Sequence, residues 1–135
     1  MQKYKMESDC KYLFVYGTLL NADNEYGAYL NAHSTFIAKG YFNGALYNLG
    51  EYPGALYQPL SAQKVWGDVV LLDNPIEVLK VIDEYEGYGP DEEQPNLFAR
   101  ELVAVTADTG LVDCWVYLYN LKVDGLRQIE SGNYK

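Results

Sequence analysis

The chain has almost nothing with which to hold a transition metal: one histidine, His33, and two cysteines, Cys10 and Cys114, in 135 residues. The thiols sit far apart, one in a polar N-terminal stretch and one within an apolar strand, and they form neither a metal nor a redox spacing. They read as one small buried residue and one incidental thiol. Cationic side chains are scarce too. There are 10 Lys and Arg against 19 Asp and Glu, a net charge of −9, so the basic face that nucleic acid or an anionic membrane requires is missing. The surplus acid serves solubility. No apolar run approaches the length of a membrane span. The opening stretch MQKYKMESDCKY lacks the apolar core of a signal peptide, and a cytoplasmic protein is expected.

What the chain does have is core-forming material. Hydrophobic residues make up 49% and charged residues 21%, a globular and not a disordered composition. The length suits one domain, residues 1–135, with its own core. Tyrosine is used heavily, with 14 copies against 4 Phe. A tyrosine carries an apolar ring and a hydroxyl, so these residues suit strands at a core edge and equally a polar cleft for a small ligand. Composition leaves both open.

Along the chain, Tyr12 to Tyr16 is a continuous run of β-formers that stops at Gly17-Thr18. Asn21 to Leu30 fits a short helix, with the polar cluster Asn21-Ala22-Asp23-Asn24 as loop or cap. Thr35 to Leu49 reads as strand, broken at Gly40 and Gly44. Glu51-Tyr52-Pro53-Gly54 is a turn signal. The tetrad Gly44-Ala45-Leu46-Tyr47 returns as Gly54-Ala55-Leu56-Tyr57, which fits neighbouring antiparallel strands. Val65 to Leu72 is a further strand. Asn74, as N-cap, and Pro75 open a helix that Gly87 closes. Gly89 to Asn96 is a loop. Arg100 to Ala107 and Leu111 to Tyr119 form a hairpin across Asp108-Thr109-Gly110. The tail from Asn120 is expected to be irregular. These elements predict an α+β domain, a mostly β sheet or barrel with one main helix packed on it.

One acid in that helix is out of place. With Ile76, Leu79 and Ile82 as its apolar face, Glu86 follows Leu79 by seven residues and Ile82 by four, so it points inward with them. Glu77 and Glu84 face water. A desolvated carboxyl has a raised pKa, which is what a proton-transfer group needs near neutrality. The other reading is a helix-end carboxylate that turns to solvent or pairs with Arg100. Tyr16-Gly17-Thr18-Leu19 is the second candidate. Glycine at a strand end lets a ligand approach the backbone, and successive amides there can cradle an anion; an ordinary turn has the same sequence. Asp83, at the edge of the helix face, reads as structural, hydrogen-bonded to a neighbouring strand or loop. Arg100 reads as the partner of an acid in preference to a substrate carboxylate. Asp91-Glu92-Glu93 is a solvated loop or a lid, and His33 a surface residue.

Taken together, Phe14-Val15-Tyr16-Gly17-Thr18-Leu19, Tyr52-Pro53-Gly54 and Ile82-Asp83-Glu84-Tyr85-Glu86-Gly87 resemble the γ-glutamylcyclotransferase-like superfamily, which includes the AIG2-like proteins. Phe98-Ala99-Arg100, Leu102 to Val105, Trp115 to Tyr119 and the tail Ile129 to Tyr134 continue the resemblance, which runs from about Tyr12 to Tyr134 with the motifs in order. It implies a small mixed β-barrel with flanking helices. It implies a cavity beside Tyr16 to Leu19 that binds substrate, and Glu86 as catalytic acid/base. One departure is Phe98, where many members have Tyr two residues before the Arg.

The implied reaction is intramolecular. The α-amine of a γ-glutamyl amide attacks its own γ-carbonyl, giving 5-oxoproline and a free amine. One carboxyl can take the ammonium proton and return it to the leaving amine, with backbone N–H groups of Gly17 to Leu19 holding the α-carboxylate or the oxyanion. Such chemistry requires no metal or organic cofactor. The expected partner is a small γ-glutamyl compound. A non-catalytic small-molecule-binding domain on the same scaffold is the competing reading, and a related amide cleavage a third.

Overall fold

The computed structural model describes residues 10–20 and 23–134. The N-terminal polar stretch up to residue 9, and Asn21 and Ala22 of the expected helix cap, lie outside them. Seven strands and two helices follow one another as β1 (Tyr12–Val15), α1 (Glu25–Ala32), β2 (Ser34–Asn48), β3 (Pro53–Tyr57), β4 (Lys64–Leu72), α2 (Pro75–Glu86), β5 (Phe98–Ala107), β6 (Gly110–Tyr119) and β7 (Arg127–Gln128). A single 3₁₀ turn, Thr18–Leu20, lies between β1 and α1.

The sheet runs β2-β4-β1-β6-β5, and β5 pairs again with β2, closing a barrel. Closure leaves no open edge along these strands. Only β1 and β6 run parallel among the described strand pairs. The barrel is therefore mixed, the architecture that the resemblance implied. The long β2 is shared: its first part pairs with β4, and its last part pairs with β3 and β7. The repeated tetrads pair as expected, with Leu46 opposite Ala55 and Ala45 opposite Leu56.

Alternation along the strands sorts the buried residues into two clusters. Phe14 of β1 and Tyr16 just after it, Phe42 and Leu46 of β2, Val65 and Val69 of β4, Val103 and Val105 of β5, and Cys114 and Val116 of β6 fill the barrel interior. Leu13 and Val15 of β1 and Trp115 and Tyr117 of β6 face the other way. There they meet Leu30 of α1 and Val78, Leu79 and Ile82 of α2. This explains why β1 and β6 read as continuous apolar runs: both of their faces are covered.

The structure departs from sequence-based expectation at several points. Gly40 and Gly44 do not break β2, which is continuous over 15 residues. Of the two, Gly44 has the nearer neighbour: a Cβ there would stand 2.0 Å from the Leu56 carbonyl oxygen. Ile76 is not on the buried stripe of α2. It is 72% exposed, and Val78 takes its place beside Leu79 and Ile82. Asn74 occupies the N-cap position, but its side chain makes no capping hydrogen bond. The tail is not wholly irregular. It contributes β7, and the backbone N–H groups of Ile129 and Trp66 donate to Leu46 and Gly132, joining it to the barrel. Cys114 is fully buried, with its thiol pushed up to about 12 by burial, then by Cys10 and Asp113. No described helix is long and apolar enough to cross a membrane.

Candidate functional site

α2 ends abruptly, and that end places the site. Gly87 adopts a left-handed conformation with φ 72°. The Tyr88 N–H donates to the Asp83 carbonyl (2.9 Å) and the Gly87 N–H to the Glu84 carbonyl (3.3 Å), the paired bonds of a Schellman termination. Glu86 is thus the last helical residue, one turn after Ile82 on the buried stripe.

Its side chain enters a cavity of about 160 Å³ at the end of β1. Phe14, Val15 and Tyr16 supply one wall, and Gly17, Thr18 and Leu19 the rim. Tyr52 and Pro53, Tyr85 and Glu86, Leu97 and Phe98, and Tyr117 complete the lining. Glu86 is the single ionisable acid among these residues, and no Lys, Arg or His lines the cavity. All of the residues named as site candidates, Glu86 and Tyr16 to Leu19, therefore meet at one place.

Each of the loop residues has a defined setting. Gly17 is required by close approach: a Cβ there would lie 2.9 Å from Pro53 Cγ. The Tyr52-Pro53-Gly54 motif, read from sequence as a turn, thus packs against the Gly17 backbone and walls the cavity. The Thr18 hydroxyl meets the Tyr85 hydroxyl at 2.8 Å, and the Tyr85 ring stacks on Tyr26 of α1 at 4.5 Å between centroids. The Asn24 side chain caps α1 by accepting from the Gly27 N–H (2.8 Å), and its amide donates to the Thr18 carbonyl (3.0 Å), tying the loop to the helix. The Leu20 N–H donates to the Gly17 carbonyl at 3.0 Å. Among the described residues, no backbone carbonyl accepts from Gly17, Thr18 or Leu19.

Tyr16 differs from its loop neighbours. Its hydroxyl donates to the Tyr117 carbonyl (2.6 Å) and accepts from the Ala55 N–H (3.1 Å). It locks three strands together. Burial, and then the charge of Glu86, hold its proton well above the usual phenol range, against a smaller opposing effect of the Ala55 N–H. Tyr16 thus stays a neutral hydroxyl. Phe98 is buried between Tyr52 and Tyr119, with ring centroids 6.2 and 5.9 Å away. At this position the cavity wall is apolar.

Two acids one turn apart on α2 have opposite surroundings. Arg100 of β5 does not pair with Glu86. Its Nε and Nη2 donate to the two carboxylate oxygens of Asp83 at 2.7 and 3.1 Å, and the Tyr117 hydroxyl donates to Asp83 Oδ1 at 2.7 Å. The guanidinium also lies 4.3 Å over the Trp115 ring. Asp83 is hydrogen-bonded to side chains of two neighbouring strands, the setting its sequence position suggested. Glu86 has no hydrogen bond or ion pair to any described residue. Desolvation first, and the Asp83 charge second, raise its carboxyl to about 8. The negative end of the α2 dipole, with no basic residue in the last turn, acts in the same direction.

Sequence reasoning missed Tyr52, Pro53, Tyr85 and Leu97 as cavity lining. Tyr85 had a readable signal, since it adjoins Glu86 in the same motif. Leu97 had none. Among the described residues, no group of three or more His, Cys, Asp or Glu side chains is placed to hold a metal ion.

The family model described as "Gamma-glutamyl cyclotransferase, AIG2-like" matches residues 13–135. The chain belongs to that family. Among its relatives, the Escherichia coli K12 γ-glutamylcyclotransferase family protein YtfP is 33% identical over 124 residues, covering 90% of this chain and 94% of YtfP. The γ-L-glutamyl-butirosin B γ-glutamyl cyclotransferase of Niallia circulans is 34% identical over 109 residues, 80% of this chain; the match spans 66% of that enzyme's length. An AIG2-like protein from Mus musculus shares the fold at 21% identity and a TM-score of 0.70, over 93% of this chain and 88% of its own.

Proposed function

We propose that this member of the family is a γ-glutamyl cyclotransferase that releases 5-oxoproline and a free amine from a small γ-glutamyl amide, with Glu86 as general acid/base. The observation that carries this reading is the state of Glu86. It is an unpartnered carboxyl with its pKa near 8, in a cavity rimmed by the backbone of Gly17 to Leu19. A structural carboxylate is saturated with donors; a proton-transfer group is kept free and near neutrality.

The steps balance without water or a cofactor. Ionised Glu86 takes a proton from the substrate α-ammonium. The freed amine forms a C–N bond to its own γ-carbonyl carbon, closing a five-membered ring. The amide C–N bond then breaks as Glu86 returns the proton to the departing amine, and the ring nitrogen gives up its second proton through the same carboxylate, so the amine leaves as an ammonium and Glu86 is ionised again. The amides of Gly17, Thr18 and Leu19 are the donors available for the substrate α-carboxylate or the developing oxyanion. The walls, Phe14, Phe98, Leu97 and Val15, exclude water and strengthen those hydrogen bonds.

Incubation with a panel of γ-glutamyl amines and γ-glutamyl amino acids tests the reading directly. Release of 5-oxoproline from at least one compound, lost in Glu86→Gln, is the expected outcome. A panel that binds in the cavity and is never turned over would instead make this a binding domain. Crystals soaked with acetate or 5-oxoproline should carry a carboxylate on the Gly17 to Leu19 amides.

A further inference from the structure

The cavity of Glu86 is lined from every side by aromatic and hydroxyl groups, with no Lys, Arg, His or second carboxyl among them. Tyr16 comes from the end of β1, one residue past the strand, Tyr117 from β6, Phe98 from β5, Tyr52 from the turn before β3 and Tyr85 from α2; Tyr26 of α1 stacks behind Tyr85. The nearby fixed charges are those of Asp83, one turn earlier on α2, and Arg100, which is bound to it. That pair is held from three elements: α2 carries Asp83, β5 carries Arg100, and β6 carries the Tyr117 hydroxyl and the Trp115 ring. The side chains of Arg100 and Asp83 are only 17% and 19% exposed.

We propose that Asp83 is a positioning residue for the cavity acid: clamped by Arg100 and Tyr117 one turn before Glu86, it biases Glu86 toward holding a proton until a substrate cation enters the cavity. The physical basis is an asymmetry between like charges. Two carboxyls one turn apart cannot both ionise cheaply, and the one with donors keeps its charge. The Asp83 carboxylate accepts three hydrogen bonds. Glu86, with none, responds to the cavity contents. An incoming α-ammonium offsets the Asp83 charge, so Glu86 releases its own proton to solvent and, once ionised, can take one from the ammonium. The raised carboxyl of Glu86, for which Asp83 is the second cause after burial, agrees with this. Tyr117 links the two halves: its hydroxyl serves the clamp, and its carbonyl accepts from Tyr16 in the cavity floor.

The role in catalysis rests on the proposed cyclotransferase reading, but the coupling of Asp83 to Glu86 can be measured without any substrate. Carbon-13 NMR titration of glutamate-labelled protein, with Glu86→Gln to assign the signal, gives the Glu86 midpoint in the empty cavity. Asp83→Asn should lower that midpoint by about one unit. Because it leaves Arg100 unpaired, Asp83→Asn/Arg100→Gln is titrated beside it, with the same direction expected. In any turnover assay, both variants should shift the acid limb of kcat/KM down by the same amount. A purely structural pair lowers the melting temperature and leaves the midpoint in place. An unmoved midpoint in the folded variants overturns the proposal, as does loss of folding in both. Absence of turnover with a shifted midpoint overturns the cyclotransferase reading and leaves the coupling standing.

Discussion

The barrel interior and the helix-covered face outside it are both apolar, yet they do different things. The interior cluster draws on all five barrel strands and is sealed by close packing: the Phe14 and Phe42 rings meet edge to face at 5.5 Å. The outer cluster lies between strands and helices, and there the cavity opens. The cavity touches the interior cluster only through Phe14 and Tyr16. The charged clamp and the unpartnered acid belong to the outer side. One region stores stability, and the other has room for chemistry.

If that division holds, the largest effect on chemistry comes from a change that scarcely alters packing. Glu86→Gln keeps the shape of the side chain but cannot accept a proton. 5-Oxoproline release should fall roughly 10²–10⁴-fold, while the melting temperature at pH 7 stays the same or rises. A fully active Glu86→Gln protein would remove the mechanism. The mirror image is Phe42→Ala in the interior, away from the cavity. It should cost about 3–5 kcal/mol in chemical denaturation and leave kcat/KM of the folded fraction near that of the parent. Loss of activity without loss of stability there would break the comparison.

The pH dependence of stability sharpens it. Glu86 binds its proton more tightly in the folded state, about 8 against 4.5. Below pH 4.5 it contributes nothing. Between 4.5 and 8 the native state holds more protons than the unfolded chain, so stability declines as pH rises, and above 8 the full cost is present. This cost is on the order of a few kcal/mol. Denaturation midpoints measured from pH 5 to 9 should fall in the parent, and more gently in Glu86→Gln.

Smaller effects follow at the rim. Gly17→Ala forces Pro53 or the loop aside and should reduce kcat/KM roughly 10-fold or more, with only a modest change in melting temperature. Thr18→Val removes the hydroxyl contact with Tyr85. It should cost about 1 kcal/mol of stability, readable as a small shift in the urea midpoint.

Much of this molecule was legible locally. The end of α2 at Gly87, the pairing of the two Gly-Ala-Leu-Tyr tetrads and the hairpin of β5 and β6 each depend on residues close in sequence, where backbone preference and alternation suffice. The inward direction of Glu86 was legible from helical spacing. One member of the stripe was misread, Ile76 in place of Val78, because a 100° periodicity does not say which edge of the stripe meets the barrel. Tail pairing and the continuity of β2 through Gly40 and Gly44 were not legible either. Both depend on strands distant in sequence.

By itself, then, the sequence determined the order of elements, the apolar runs of the two-faced strands and the presence of one acid on a buried helical stripe, since periodicity and termination are written in neighbouring residues. Tertiary structure alone decided which acid Arg100 would hold. Asp83 and Glu86 lie one turn apart, and only the docking of the β5–β6 hairpin against α2 brings the guanidinium and the Tyr117 hydroxyl to the first and leaves the second bare. It also decided that Pro53 should press on Gly17 and that the Tyr16 hydroxyl should bind backbone. Those contacts join residues tens of positions apart, and a long-range contact of that kind is fixed by packing, which no local preference encodes.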